Sequence, residues 1–159
     1  MATLPQLIEE DIQRLNSALR EFIGQTDATA ALIIDKAGFL ITHQGDSAQF
    51  DVTSIGALAS GAFMANQTIA GLVNETNFNS VYQQGEKSSM LIVNIDEHCL
   101  LIVIFSANIG AGIMKYFAAG IIRKIAGQLG AARNRNPDGG YDLSVLNLAD
   151  SESLFRKKN

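Results

Sequence analysis

Few residues in this chain are of a type and spacing that could do chemistry, and each of them fails a specific test. Gly56 and Gly61 have the spacing of a phosphate-cradling loop, but Ala62-Phe63 stand where that loop needs Lys and Ser/Thr. Gly110-Ala111-Gly112 is followed by Lys115 where a dinucleotide fingerprint needs its third glycine. The two histidines, His43 and His98, lie in no metal-ligand spacing and read as ordinary polar residues. The single cysteine, Cys99, falls in an apolar run and reads as a buried, inert thiol. His98 is its sequence neighbour, but strand alternation sends the two to opposite faces. Asp35 and Asp96 end apolar runs, where carboxylates serve turns more often than acid–base pairs. We therefore expect no catalytic centre, no metal and no cofactor. No convergent polar pocket for a small-molecule sensor is visible either.

The elements that would carry these residues can be read from periodicity. Over 5–24, Leu7, Ile8, Ile12, Leu15, Leu19, Phe22 and Ile23 recur every three or four positions, a helix for which Gly24 offers a stop. Ala30 to Asp35 is an apolar strand, Lys36-Ala37-Gly38 a tight connection, and Phe39 to Gln44 a more polar returning strand. Asp51 is a good N-cap for a second helix. Its apolar stripe is Val52, Ile55, Leu58, Ala62, Ile69, Leu72 and Val73. A short strand near 78–84 turns at Gly85. Met90 to Ile95 and Cys99 to Phe105 then form a hairpin around Asp96-Glu97-His98. A last helix spans roughly 108–132. From Arg133 to Gly140 the local signals are those of a linker, and Leu143 to Phe155 supply too few apolar residues for a core.

The three strands 30–35, 90–95 and 99–105 are apolar at nearly every position, so both faces of their sheet must be covered. The helices therefore divide between the faces, and the more polar strands near 39–44 and 78–84 take the edges. The edge at 78–84, with Val81 and Tyr82 and little charge, is the better seam for a second chain. The second helix is rich in small residues. Ala57, Gly61 and Ala65 share a face at four-residue spacing, and interior glycines weaken a helix by about 0.5–1 kcal/mol each. Two explanations stand side by side: tight packing on its own sheet, or close approach of a partner.

Composition narrows the classes further. The chain has 159 residues, 47% hydrophobic and 18% charged, with a net charge of −4. This fits one globular domain with a short appendage and shows no basic footprint for nucleic acid. The longest apolar run, Cys99 to Phe105, is too short to span a bilayer. The start lacks the basic and apolar regions of a signal peptide, so a cytoplasmic location is expected.

Five stretches then resemble a known family: Leu32 to Gly38 and Asp51 to Gly61, to which Asn74 to Phe78, Gln84-Gly85-Glu86-Lys87 and Leu101 to Phe105 add. Together with the element order they resemble the Roadblock (dynein light chain type) family over about residues 8–130, and within it the bacterial MglB-type polarity regulators. The resemblance implies an α/β three-layer, profilin-like sandwich: a five-stranded, mostly antiparallel sheet with helices on both faces, in the order αββαβββα. It implies a Roadblock domain over 1–134, a linker over 135–143 and a tail over 144–159 that could form a docking helix. It also implies a homodimer joined through Ser80, Val81, Tyr82 and Gln83, and a small Ras-like GTPase of the MglA type bound by Ala57, Ser60, Gly61, Met64, Ala65 and Thr68. In such proteins the tail, here Leu154 and Phe155, contacts the GTPase separately. Hydrolysis is stimulated by remodelling the GTPase, with no inserted arginine. The alternative is a scaffold that binds a GTPase or motor component without changing its turnover.

Overall fold

The computed structural model describes residues 6–135. The linker beyond 135, the tail, Leu154 and Phe155 lie outside the described residues. The elements are α1 (Glu9–Thr26), β1 (Ala30–Asp35), β2 (Leu40–Gly45), α2 (Val52–Leu72), β3 (Ser80–Gln84), β4 (Ser88–Asn94), β5 (Cys99–Ser106) and α3 (Ala111–Arg135). The five strands form one sheet in the order β2-β1-β5-β4-β3, and every pairing is antiparallel. The architecture is the expected three-layer one, with β2 and β3 at the edges.

The continuous apolar runs are explained by alternation between two covered faces. In β1, Ala31 and Ile33 join one core while Ala30, Leu32 and Ile34 join the other. In β5, Cys99, Leu101, Val103 and Phe105 face the first core, and Leu100, Ile102 and Ile104 face the second. The first core lies under α1 and α3, built on Leu15, Leu19, Phe22, Met114, Ile125 and Leu129. The second lies under α2, whose buried contributions are Ala59 and Phe63.

Several boundaries move. Gly24 does not end α1. The helix runs to Thr26, and Asp27 takes the left-handed position at φ 58°, its N–H donating to the Ile23 carbonyl at 2.9 Å. A short aspartate tolerates that conformation. The last helix continues past 132 through Arg135, because its end is tied to the body. Arg135 pairs with Asp11, a carboxylate only 1% exposed at the start of α1. Asp11 also accepts hydrogen bonds from the Ile8 N–H at 2.9 Å and from Gln128 Nε2 at 2.7 Å. Burial alone would raise its pKa, but these hydrogen bonds and the Arg135 charge outweigh it and hold the carboxyl below its ordinary value.

The residues screened for chemistry take structural roles. Asp35 Oδ1 accepts the Phe39 N–H at 2.8 Å, and Asp96 Oδ1 accepts those of His98 and Cys99 at 2.8 and 2.9 Å. His43 Nδ1 shares a hydrogen bond of 2.9 Å with Ser47 Oγ. The Cys99 thiol is buried, and burial, helped by the Asp96 and Asp35 charges, pushes its pKa strongly up. Among the described residues no group of three or more His, Cys, Asp or Glu is placed to hold a metal ion. No described helix is long and apolar enough to cross a membrane.

Candidate functional site

Helix α2 starts where Asp51 caps it. Its Oδ1 accepts the Ser54 N–H at 3.1 Å and its Oδ2 the Ser54 hydroxyl at 2.6 Å. These bonds hold the Asp51 carboxyl below its ordinary pKa. From Val52 to Leu72 the helix contains no charged residue.

Its inward face is set by the β1–β2 turn. A Cβ on Gly56 would stand 3.1 Å from Ile34 Cγ2, and one on Gly38 would stand 3.1 Å from the Ala57 Cα. Gly38 also has φ +102°, so the turn needs glycine twice over. The Ser60 hydroxyl donates to the Lys36 carbonyl at 2.5 Å. The buried positions are Gly56, Ala59, Ser60, Phe63 and Ala70.

This corrects the stripe read from sequence. Leu58, Ile69, Leu72 and Val73, expected inside, are exposed, Leu58 by 75% and Leu72 by 78%. A helix that is apolar all round gives periodicity no unique phase. Close packing at Gly56 and Gly38 selects the phase instead. Ser60, expected at a partner surface, is buried and hydrogen-bonded to the turn. Ala57, Gly61, Met64, Ala65 and Thr68 do lie on the exposed face, with Leu58, Ile69 and Leu72 beside them. The two small-residue explanations therefore divide. Gly56 is accounted for by its own fold, whereas a Cβ on Gly61 would meet nothing within 4 Å. Sequence reasoning missed Phe63, the helix's largest buried side chain, and the outward leucines. The signal for the latter was the charge-free run itself.

The β3 edge is the second surface. Asn94 N–H donates to the Asn79 carbonyl and Gly85 N–H to that of Ser88, which brackets the ladder to β4. By antiparallel alternation, Val81 and Gln83 spend their backbone groups on β4, and those of Ser80, Tyr82 and Gln84 face the open side. The Val81 side chain packs on the α2-side core, and the Tyr82 ring stacks on Phe105 at 6.1 Å. The opposite edge differs. The β1–β2 register shifts between Ile33 and Ile34, leaving Ile41 of β2 unmatched, Thr42 bonds Asn16, and Gln44 accepts from Arg20 at 3.4 Å.

A cavity of about 650 Å³, not foreseen from sequence, opens beside Met64 and Phe63 and is also bordered by Lys36 and Asp96.

The Roadblock/LC7 domain matches residues 15–105, more than half of the chain. This chain belongs to the Roadblock/LC7 family. Solved structures carry the same fold. This Roadblock chain superposes on Myxococcus xanthus MglB with a TM-score of 0.74 at 22% identity, covering 79% of this chain and 95% of that one. The gliding protein MglB of Thermus thermophilus gives 0.74 at 24% identity, covering 82% and 99%. Acanthamoeba castellanii profilin II gives 0.50 at 18% identity over 73% and 96%. No curated protein matches the chain in sequence.

Proposed function

We propose that this Roadblock protein is a homodimeric regulator that binds a small Ras-like GTPase of the MglA type on its α2 face and stimulates GTP hydrolysis, in the control of cell polarity or motility. The observation that carries the reading is the outer face of α2. Large exposed apolar residues, Leu58, Met64, Ile69 and Leu72, surround Ala57, Gly61 and Ala65 on a helix without a charge. Contiguous apolar surface of this kind marks a protein contact, and the small residues let a partner backbone approach.

The open β3 edge supports the homodimer. A second copy whose β3 meets Ser80, Tyr82 and Gln84 in antiparallel register extends the sheet across a two-fold axis. That pairing brings the two α2 helices onto one side of a continuous sheet. A solved MglB with tetrameric arrangement shares the fold at a TM-score of 0.75 and 24% identity and is consistent with self-association.

The stimulation itself comes from reshaping the GTPase. The described arginines Arg14, Arg20, Arg123, Arg133 and Arg135 all belong to α1 and α3, and α2 has none. Single-turnover GTP hydrolysis by a cognate small GTPase, with and without this protein, tests the reading. Faster turnover supports it. Binding with unchanged turnover favours a scaffold.

A further inference from the structure

The cavity beside α2 has a mixed lining that says what would fill it. It lies between the C-terminal half of α2, the β1–β2 turn, the loop before β3 and the β4–β5 turn. Lys36 supplies a cation, its Nζ 5.8 Å from the centroid of the Phe63 ring. Burial pushes this ammonium below its ordinary pKa, against the opposing fields of Asp96 and Glu97. Phe63, Met64 and Phe78 supply apolar wall, and Asp96 and Glu97 supply carboxylates.

The chain beyond Arg135 contains the complementary set in one short segment. Asp150 and Glu152 precede Leu154 and Phe155, and Arg156, Lys157 and Lys158 follow them. Its departure point is also right. Arg133, in the last turn of α3, has its Nη2 3.7 Å from Asp96 Oδ2, and Asp96 borders the cavity. An extended chain advances about 3.3 Å per residue, so a segment with as many residues as 136–153 is long enough to cross a domain whose radius of gyration is about 14 Å.

We propose that residues 150–158 dock in this cavity of their own chain. Leu154 and Phe155 pack against Phe63, Met64 and Phe78, the acids lie toward Lys36, and the bases lie toward Asp96 and Glu97. Met64 belongs both to this cavity and to the outward face of α2. The docked segment therefore competes with whatever binds that face. The docking itself stands on the cavity and the segment, independent of which partner that is.

The chain contains no tryptophan, so F155W in the full-length protein places one indole on the segment. Docked, it emits at shorter wavelength and is quenched by acrylamide several-fold less than in a free 148–159 peptide with the same substitution. Adding K36E or M64D, each checked for retained fold by circular dichroism, moves both readings to the peptide values. Emission and quenching equal to the peptide's without those changes overturn the proposal, as does protection that survives both. A cysteine pair gives an independent reading, because Cys99 is buried and its thiol resists ionisation. Mild oxidation of M64C/F155C links the two within one chain if the segment docks there. A link only between chains, or none, overturns it.

Discussion

The two faces of the sheet are built to different ends. On one, α1 and α3 close over a core that includes Leu15, Phe22, Leu101, Phe105, Ile125 and Leu129. Polar ties fasten the rim: Lys124 to Glu21 at 2.7 Å, Gln128 and Arg135 to Asp11. On the other face a single helix covers part of the sheet. It is held by Gly56, Ala59, Ser60 and Phe63 and turns Leu58, Met64, Ile69 and Leu72 outward. Both faces are rich in apolar residues. On the first most of them are buried between helices and sheet, and on the second Leu58, Met64, Ile69 and Leu72 of α2 stay exposed.

The sharpest way to break this contrast is to delete one apolar side chain from each face. Phe22→Ala empties a fully buried site and should lower stability by about 3–5 kcal/mol. Leu72→Ala, on the exposed side, should change it by no more than about 0.5 kcal/mol. Urea denaturation of the two variants checks both. Comparable losses would mean that the outer face of α2 contributes to the fold and is not held in reserve.

Asp11 sharpens the comparison at the rim. Its folded pKa is depressed, so its stabilisation is fully present above the unfolded value, about 3.9, and is lost as pH falls through the folded pKa. Asp11→Asn should lower stability at pH 7 by about 1–3 kcal/mol, with the gap to wild type closing below about pH 4. Denaturant midpoints at pH 7 and pH 3 measure this. A gap that does not depend on pH would remove the charge from the account.

At the open edge, Val81→Lys places a cation in the partly buried α2-side surface next to the seam. It should raise the dimer dissociation constant at least tenfold, about 1.4 kcal/mol, as read by light scattering over a dilution series. A wild type that is monomeric at micromolar concentration would contradict the seam itself.

The smallest effect is expected from the arginines. Arg14 pairs with Glu10, Arg20 with Gln44, and Arg133 lies beside Asp96, all on the α1/α3 side or its end. An inserted arginine contributes about 10³–10⁵ in rate. Replacing Arg14, Arg20, Arg123 or Arg133 by Ala should leave stimulated hydrolysis within a few-fold of wild type. A thousand-fold loss from any one, with docking intact, would overturn the mechanism and the assigned face.

The sequence made the sheet legible because its central strands are covered on both sides. The run Ala30 to Asp35 needed no alternation to be recognised, and its limits are those observed. The element order followed from periodicity and turn signals, and the two edges from contrast in polarity. The phase of α2 was not legible, because residues such as Leu58 and Phe63 are equally apolar and only the contact of Gly56 with the turn at Gly38 tells them apart. For the same reason Ser60 looked available although it is tied to Lys36. The end of α3 depends on Asp11, more than a hundred residues earlier in the chain, which no local signal announces. Met64 and Thr68 were legible as outward positions, and both are exposed.

The central claim is that the exposed, charge-free side of α2 is where the GTPase binds. Met64→Arg with Thr68→Arg, measured by calorimetry against a cognate small GTPase, tests it most directly. Both side chains already face solvent, so the fold should be retained, while two unpaired guanidinium groups must be desolvated for a partner to approach. We expect binding to fall at least tenfold, about 1.4 kcal/mol, with an unchanged thermal midpoint. Wild-type affinity in the double variant would contradict the claim and put the GTPase on another surface.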